Sequence, residues 1–239
     1  MTDAPFSSDH PISPDGPRRP GLLILDVKET LSDMAPLSAR FADVGAPEHL
    51  AKLWFAELLR DGFALTTSGD TESFATLGAE GLRIRLGGQP LDRPLEEAVN
   101  HVMQGFSELE VHPDVVEGVR ALSDLGIRLV TLSNGSATVA NTLLQGAGVR
   151  ERFERLLTVE DAGVWKPALR AYAYALEECG VDPMDAMLVA VHPWDIDGAR
   201  RAGLSTAWID RAGGRYPSYF AAPDVEAASL VELADALRE

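Results

Sequence analysis

Gly21-Leu-Leu-Ile-Leu-Asp26-Val-Lys28-Glu29-Thr30-Leu31 is the stretch that decides the fold. Gly21 to Leu25 is a nearly continuous apolar run, and Asp26 ends it. A run of this length without polar alternation reads as a strand of a parallel sheet covered on both faces. Ligands of open α/β sheets bind outside the carboxyl ends of the strands. Asp26 therefore stands where chemistry is done, although a strand-end Asp that caps the following turn is an equal reading of this segment alone.

Downstream, the rhythm supports the first reading. From His112 onward, apolar strands alternate with amphipathic helices. Helices are expected over Val115–Leu125, Ala137–Gly146, Leu169–Cys179, Ile196–Ala202 and Ser229–Arg238. Strands are expected over Ile127–Leu132, Arg155–Val159, Ala186–Val191 and Ser205–Ile209. Such alternation implies an α/β fold, a Rossmann-like parallel sheet with right-handed crossovers. Between strand one and this series, residues from about Pro36 to Leu109 carry helical patterning. Expected helices there are Glu48–Arg60, Glu80–Leu86 and Leu95–Phe106, broken by Gly87-Gly88-Gln-Pro90. The domain expectation is a flexible tail over 1–19, a core of 20–35 and 110–239, and an inserted helical cap domain over 36–109. No Gly-x-Gly-x-x-Gly follows strand one, so a dinucleotide fold has no support.

Bulk properties narrow the function classes. A formal net charge of −16 argues against nucleic acid and anionic membrane as partners, because both need a basic face. A small anionic substrate stays compatible, since a pocket can be locally positive. Cys179 is the single cysteine, so no intrachain disulfide forms, and a structural thiol is expected. No signal layout or membrane-length apolar stretch occurs, which makes a cytoplasmic protein the default. Oligomeric state stays open. The cap helices are apolar enough for a homodimer, but a cap-to-core contact would use the same surface.

Four segments carry candidate chemistry, each at a strand end or helix start. They are Asp26 with Thr30; Ser133-Asn134-Gly135; Trp165-Lys166-Pro167 with Tyr172; and Ala190-Val-His192-Pro-Trp194-Asp195. A carboxylate nucleophile needs its charge oriented and its leaving oxygen stabilised, which hydroxyls, an amide and an ammonium supply. A second carboxylate can activate water. Each segment also has a plain alternative: an ordinary turn at Ser133, a helix start at Lys166, a packed imidazole at His192, a core ring at Trp194.

In this order and at these places, the four segments resemble the motifs of the haloacid dehalogenase superfamily over about residues 20–235, most closely its (S)-2-haloacid dehalogenase branch. The resemblance implies Asp26 as nucleophile, Ser133 and Asn134 as second-motif groups, Lys166 and Tyr172 as the third motif, and Asp195 as the fourth-motif carboxylate. Its implied reaction is hydrolysis of a small 2-haloacid through an aspartyl ester, with no cofactor and no metal. Asp195, helped by His192, is the expected general base, with Asp26, Lys166, Ser133 and Asn134 as the other catalytic groups. Thr30, Lys28, Phe55, Tyr172 and Trp194 are the expected substrate contacts. The superfamily's phosphatases place an acid two residues after the nucleophile and a metal-binding carboxylate at about position 190. Here those places hold Lys28 and Ala190, and a methyl group cannot ligate a hard cation. Three departures mark this chain. Glu29 replaces the glycine of Asp-x-x-Gly-Thr, Ala190 and His192 replace a serine and an asparagine, and Phe55 follows Trp54 in a cap helix without an arginine at a matching place. A phosphatase of the same superfamily and a non-catalytic binding member remain the alternatives.

Overall fold

A computed structural model describes residues 19–238. Of the tail expected over 1–19, all but Arg19 lies outside the described residues; Arg19 Nε donates to the carbonyl of Leu237 (3.1 Å). The strands are β1 (Leu22–Leu25), β2 (Arg128–Ser133), β3 (Arg155–Thr158), β4 (Ala186–Ala190), β5 (Ser205–Ile209) and β6 (Val225–Ala227). All pair in parallel, in the order β3-β2-β1-β4-β5-β6. The chain runs outward from β1 through β2 to β3, then returns to β1's other edge as β4. The ends of β1, β2 and β4 thus meet at the topological switch point, the place where such sheets bind ligands.

All four residues of β1 are fully buried, and their alternation sorts the two faces. Leu23 and Leu25 pack into a core with α5 (Val115–Asp124), α6 (Ala137–Gly146) and α10 (Leu230–Ala236). Leu22 and Ile24 pack into a second core that runs without a break into four inserted helices. These are α1 (Leu37–Ala42), α2 (Leu50–Ser68), α3 (Phe74–Leu86) and α4 (Leu95–Ser107). The same core takes in α8 (Leu169–Cys179) and α9 (Pro193–Arg201), while the single turn α7 (Val159–Ala162) follows β3. Cys179 is buried as a structural thiol, and burial pushes its pKa up. No helix among the described residues is long and apolar enough to cross a membrane.

Several boundaries differ from expectation for physical reasons. α2 continues to Ser68 and stops where Gly69 turns left-handed (φ 84°). α3 begins at Phe74 because Ser73 Oγ caps it, accepting from Thr76 N (3.1 Å). α9 begins at Pro193, not Ile196, since proline fits a first helical turn. Trp194 and Asp195 therefore ride on the start of a helix. β6 was not expected, being three residues too short to show a period.

Candidate active site

Asp26 follows β1 directly, and its amide donates to Val189 O of β4 (3.0 Å). The chain then bends sharply, because Glu29 sits in the left-handed region at φ 62°. This bend returns the Thr30 hydroxyl to donate to Asp26 Oδ2 (2.6 Å) and to accept from Val191 N (3.1 Å). Arg211, which sequence reasoning missed, holds the bend from outside. Its Nη2 donates to Thr30 O (2.7 Å) while its Nη1 donates to Asp114 Oδ1 (2.7 Å).

Lys166 comes from the loop before α8 and is fully buried. Its Nζ donates to Asp26 Oδ1 (2.8 Å) and to Asp195 Oδ2 (2.6 Å), so one ammonium joins two carboxylates. Asn134, at the end of β2, fixes the backbone of this lysine. Its Oδ1 accepts from Lys166 N (2.9 Å) and its Nδ2 donates to Lys166 O (3.4 Å). Ser133 Oγ accepts from Gly135 N (2.9 Å) and shapes the same loop. Tyr172 on α8 turns to Asp195, its hydroxyl donating to Oδ1 (2.6 Å). Both oxygens of the buried Asp195 are therefore occupied.

His192 caps α9 and faces Asp26 from the other side. Its Nδ1 lies 3.4 Å from Asp26 Oδ2, an ion-pair contact too poorly aligned for a strong hydrogen bond. Its Nε2 lies 2.9 Å from Glu29 Oε2. Trp194 packs its ring on His192 (4.8 Å between centroids) and on Phe63 of α2 (4.9 Å). Lys28 is buried, with Nζ 4.0 Å from the Phe106 centroid and 5.8 Å from that of Phe74. Phe55 packs on Phe74 (6.3 Å) and stands one ring away from Lys28.

Electrostatics follow from this layout. Burial would raise the Asp26 carboxyl, but Lys166 and then His192 overrule it and hold it well below the usual carboxylate range. Asp195 goes the other way, pushed up by burial and by the charge of Asp26 against the pull of Lys166. Burial lowers Lys166, yet its two carboxylates raise it above the ordinary lysine value. Burial pulls the His192 imidazole down, but Asp26 and Glu29 hold it at about 9. Lys28 falls to about 7 because burial outweighs the attraction of Asp26. Burial and Asp195 push the Tyr172 hydroxyl well above its ordinary value.

The site therefore holds an ionised, oriented Asp26 carboxylate with an ammonium on one side and an imidazole on the other. The Lys166 ammonium lies between the Asp26 and Asp195 carboxylates, 2.8 Å from one and 2.6 Å from the other. Among the described residues, no three His, Cys, Asp or Glu side chains are grouped to hold a metal ion. Every expected site residue except Phe55, Tyr172 and Trp194 lies beside Asp26 or helps to build its immediate surroundings; Tyr172 and Trp194 stand one contact back and Phe55 two. Glu29, Arg211, Phe74 and Phe106 are the additions. The phenylalanines carried no signal, because an aromatic at helical spacing looks like any core ring.

A family model described as haloacid dehalogenase-like hydrolase matches residues 21–203. (S)-2-haloacid dehalogenase 4A of Burkholderia cepacia is 29% identical, over 88% of this chain and 91% of that protein. Haloacetate dehalogenase H-2 of Moraxella sp. (strain B) is 28% identical, over 75% of this chain and 80% of that one. A crystal structure of a dehalogenase with an intermediate complex superposes with a TM-score of 0.86 at 27% identity, covering 93% of this chain and 99% of its own. With Asp26, Lys166 and Asp195 converging at the ends of β1 and β4, the chain belongs to the haloacid dehalogenase-like hydrolases.

Proposed function

We propose that the chain is a metal-independent hydrolase that removes the halogen from a small 2-haloacid through an ester on Asp26. The carrying observation is Asp26 itself: buried, held ionised, and oriented by Lys166 and Thr30 at the switch point of the sheet. The names of its relatives supply the substrate class. The inserted helices act as a cap that limits water around the reacting carbon. A cytoplasmic, soluble enzyme accords with a single unpaired cysteine.

A carboxylate oxygen of Asp26 attacks the carbon that bears the halogen, and halide leaves with the bonding pair. Water then attacks Asp26 Cγ. Lys166, beside Oδ1, stabilises the oxyanion. Both oxygens of Asp195 are engaged, which suits it to holding Lys166 in place. Water activation falls to His192. Forming the ester removes the Asp26 charge that keeps the imidazole protonated; the imidazolium releases its Nδ1 proton to solvent, and the free Nδ1 then takes a proton from the attacking water. That proton passes to the departing oxygen of the 2-hydroxy acid. Glu29 fixes the ring through Nε2.

The test is halide release from 2-chloropropionate enantiomers, chloroacetate and fluoroacetate in EDTA, with Asp26→Asn alongside. Wild type alone should release halide. Sustained turnover by the variant, with deamidation excluded by mass spectrometry, would overturn the assignment. Mg²⁺-dependent phosphate release from phosphate esters would replace it with the phosphatase reading.

A further inference from the structure

We propose that Lys28 holds the substrate's carboxylate, so that the haloacid is anchored from the sheet side rather than by the inserted helices. The inference rests on the dehalogenase reading above and specifies its anion subsite.

Lys28 lies two residues beyond the nucleophile and is 5% exposed. Among the described residues its ammonium has no hydrogen-bond partner and no carboxylate within ion-pair distance; its close neighbours are the rings of Phe106 and Phe74. An ammonium taken out of water without an anion is costly, and a ring face returns only part of that cost. Burial accordingly lowers its pKa to about 7. Asp26 is the one charged group that acts on it; α3 and α4 present the two phenylalanines, and the loop after β2 presents Gly135. Asp26 itself is committed to Lys166 and Thr30. The ammonium is thus left for an anion that arrives from outside.

No other cation competes for this task in the inserted helices. Arg40, Arg60, Arg83, Arg85 and Arg93 each pair with a carboxylate, and Lys52 is exposed. The surroundings also limit size. Phe74 and Phe106 are each 4% exposed and stack at 5.1 Å, closing the space above Lys28. A short aliphatic acid fits this description, with its carboxylate on Lys28 and its α-carbon toward Asp26.

Binding an anion favours the charged amine, so affinity should fall as pH rises above about 7 in the free enzyme. The experiment measures binding of propionate, which carries no halogen, by calorimetry at pH 6 and pH 9. It compares wild type, Lys28→Met and Lys28→Arg, with melting temperatures and steady-state dehalogenation of 2-chloropropionate. Wild type should bind more weakly at the higher pH. Lys28→Met should lose at least about tenfold in affinity, as for a charge-assisted hydrogen bond, and lose the pH dependence. Its KM should rise by a similar factor with kcat changed less. Its melting temperature should rise, because a buried unpaired charge is replaced by an apolar chain of similar length. Lys28→Arg should retain part of the affinity at pH 9, since guanidinium stays charged. Equal propionate binding by wild type and Lys28→Met, or an unchanged KM in that variant, would overturn the proposal. Lys28-dependent propionate binding without halide release by wild type would uphold the anion subsite and overturn the dehalogenase reading instead.

Discussion

Glu29 adopts φ 62°, a backbone region that side chains other than glycine's avoid, and it is the one non-glycine residue with positive φ among those described. Such strain, of order 1–3 kcal/mol, survives where the surrounding structure imposes it and clusters at functional sites. Here the side chain at this position holds His192. Glu29→Gly should therefore raise the melting temperature while slowing turnover. Ester hydrolysis should become the slow step in both Glu29→Gly and His192→Gln. For His192→Gln a loss of about 100-fold or more in steady-state rate is expected, typical of an acid–base group. Rapid-quench kinetics should then show a burst of one halide per enzyme, with the ester on Asp26 seen by intact mass. The imidazole also carries a stability signature. Its folded value of about 9 exceeds the ordinary 6.5, so the folded state binds its proton more tightly. That stabilisation is complete below 6.5 and is lost as pH rises through 9. The gap in melting temperature between wild type and His192→Gln should shrink across this window.

At the scale of elements, α2 of the inserted helices meets the loop before α8 at a close contact. A Cβ at Gly62 of α2 would lie 2.4 Å from Trp165 Cε3, so only glycine lets the helix approach this ring. Trp165 stacks on Phe74 (6.0 Å between centroids) and donates from Nε1 to Glu72 O (3.0 Å). Its own amide takes the Thr66 hydroxyl as acceptor (3.0 Å). Lys166 is the next residue, so α2 sets the backbone from which the ammonium reaches Asp26. Gly62→Ala should cost about 1–3 kcal/mol through overpacking, read as a lower melting temperature. Turnover should fall as well, because Lys166 moves with Trp165. A variant with full stability and activity would show that this contact does not position the lysine.

Across the whole molecule, charge and core act separately. A net charge of −16 surrounds a site that must admit an anion past Lys28, Lys166 and His192. The Debye length falls from about 30 Å at 0.01 M ionic strength to about 8 Å at 0.15 M, so salt hides the outer acidity more than the buried cations. Stopped-flow kcat/KM should therefore rise over this range in a halide-free salt. The core has a different reach. One face of β1 shares a continuous apolar cluster with the inserted helices, including Phe41, Trp54 and Phe106. Calorimetry should show a single cooperative transition, since neither part buries that cluster alone.

The sequence by itself determined the strand Leu22–Leu25 with Asp26 at its end, the strand–helix alternation after His112, and the order of Thr30, Ser133, Asn134, Lys166 and Asp195. These are local facts. A period or a motif spacing is written into neighbouring residues, and a buried parallel strand cannot disguise its apolar run. Tertiary structure alone decided who touches whom. Lys166 reaches Asp26 across 140 positions and His192 reaches Glu29 across 163. It alone spent Tyr172 on Asp195 and left Lys28 beside two stacked rings with no carboxylate of the described residues in ion-pair reach. It also added β6, whose three residues take their extended form from pairing with β5. Partners so distant in sequence leave no periodic trace. Their contacts, and the protonation states those contacts set, exist only once the cores on the two faces of β1 have closed.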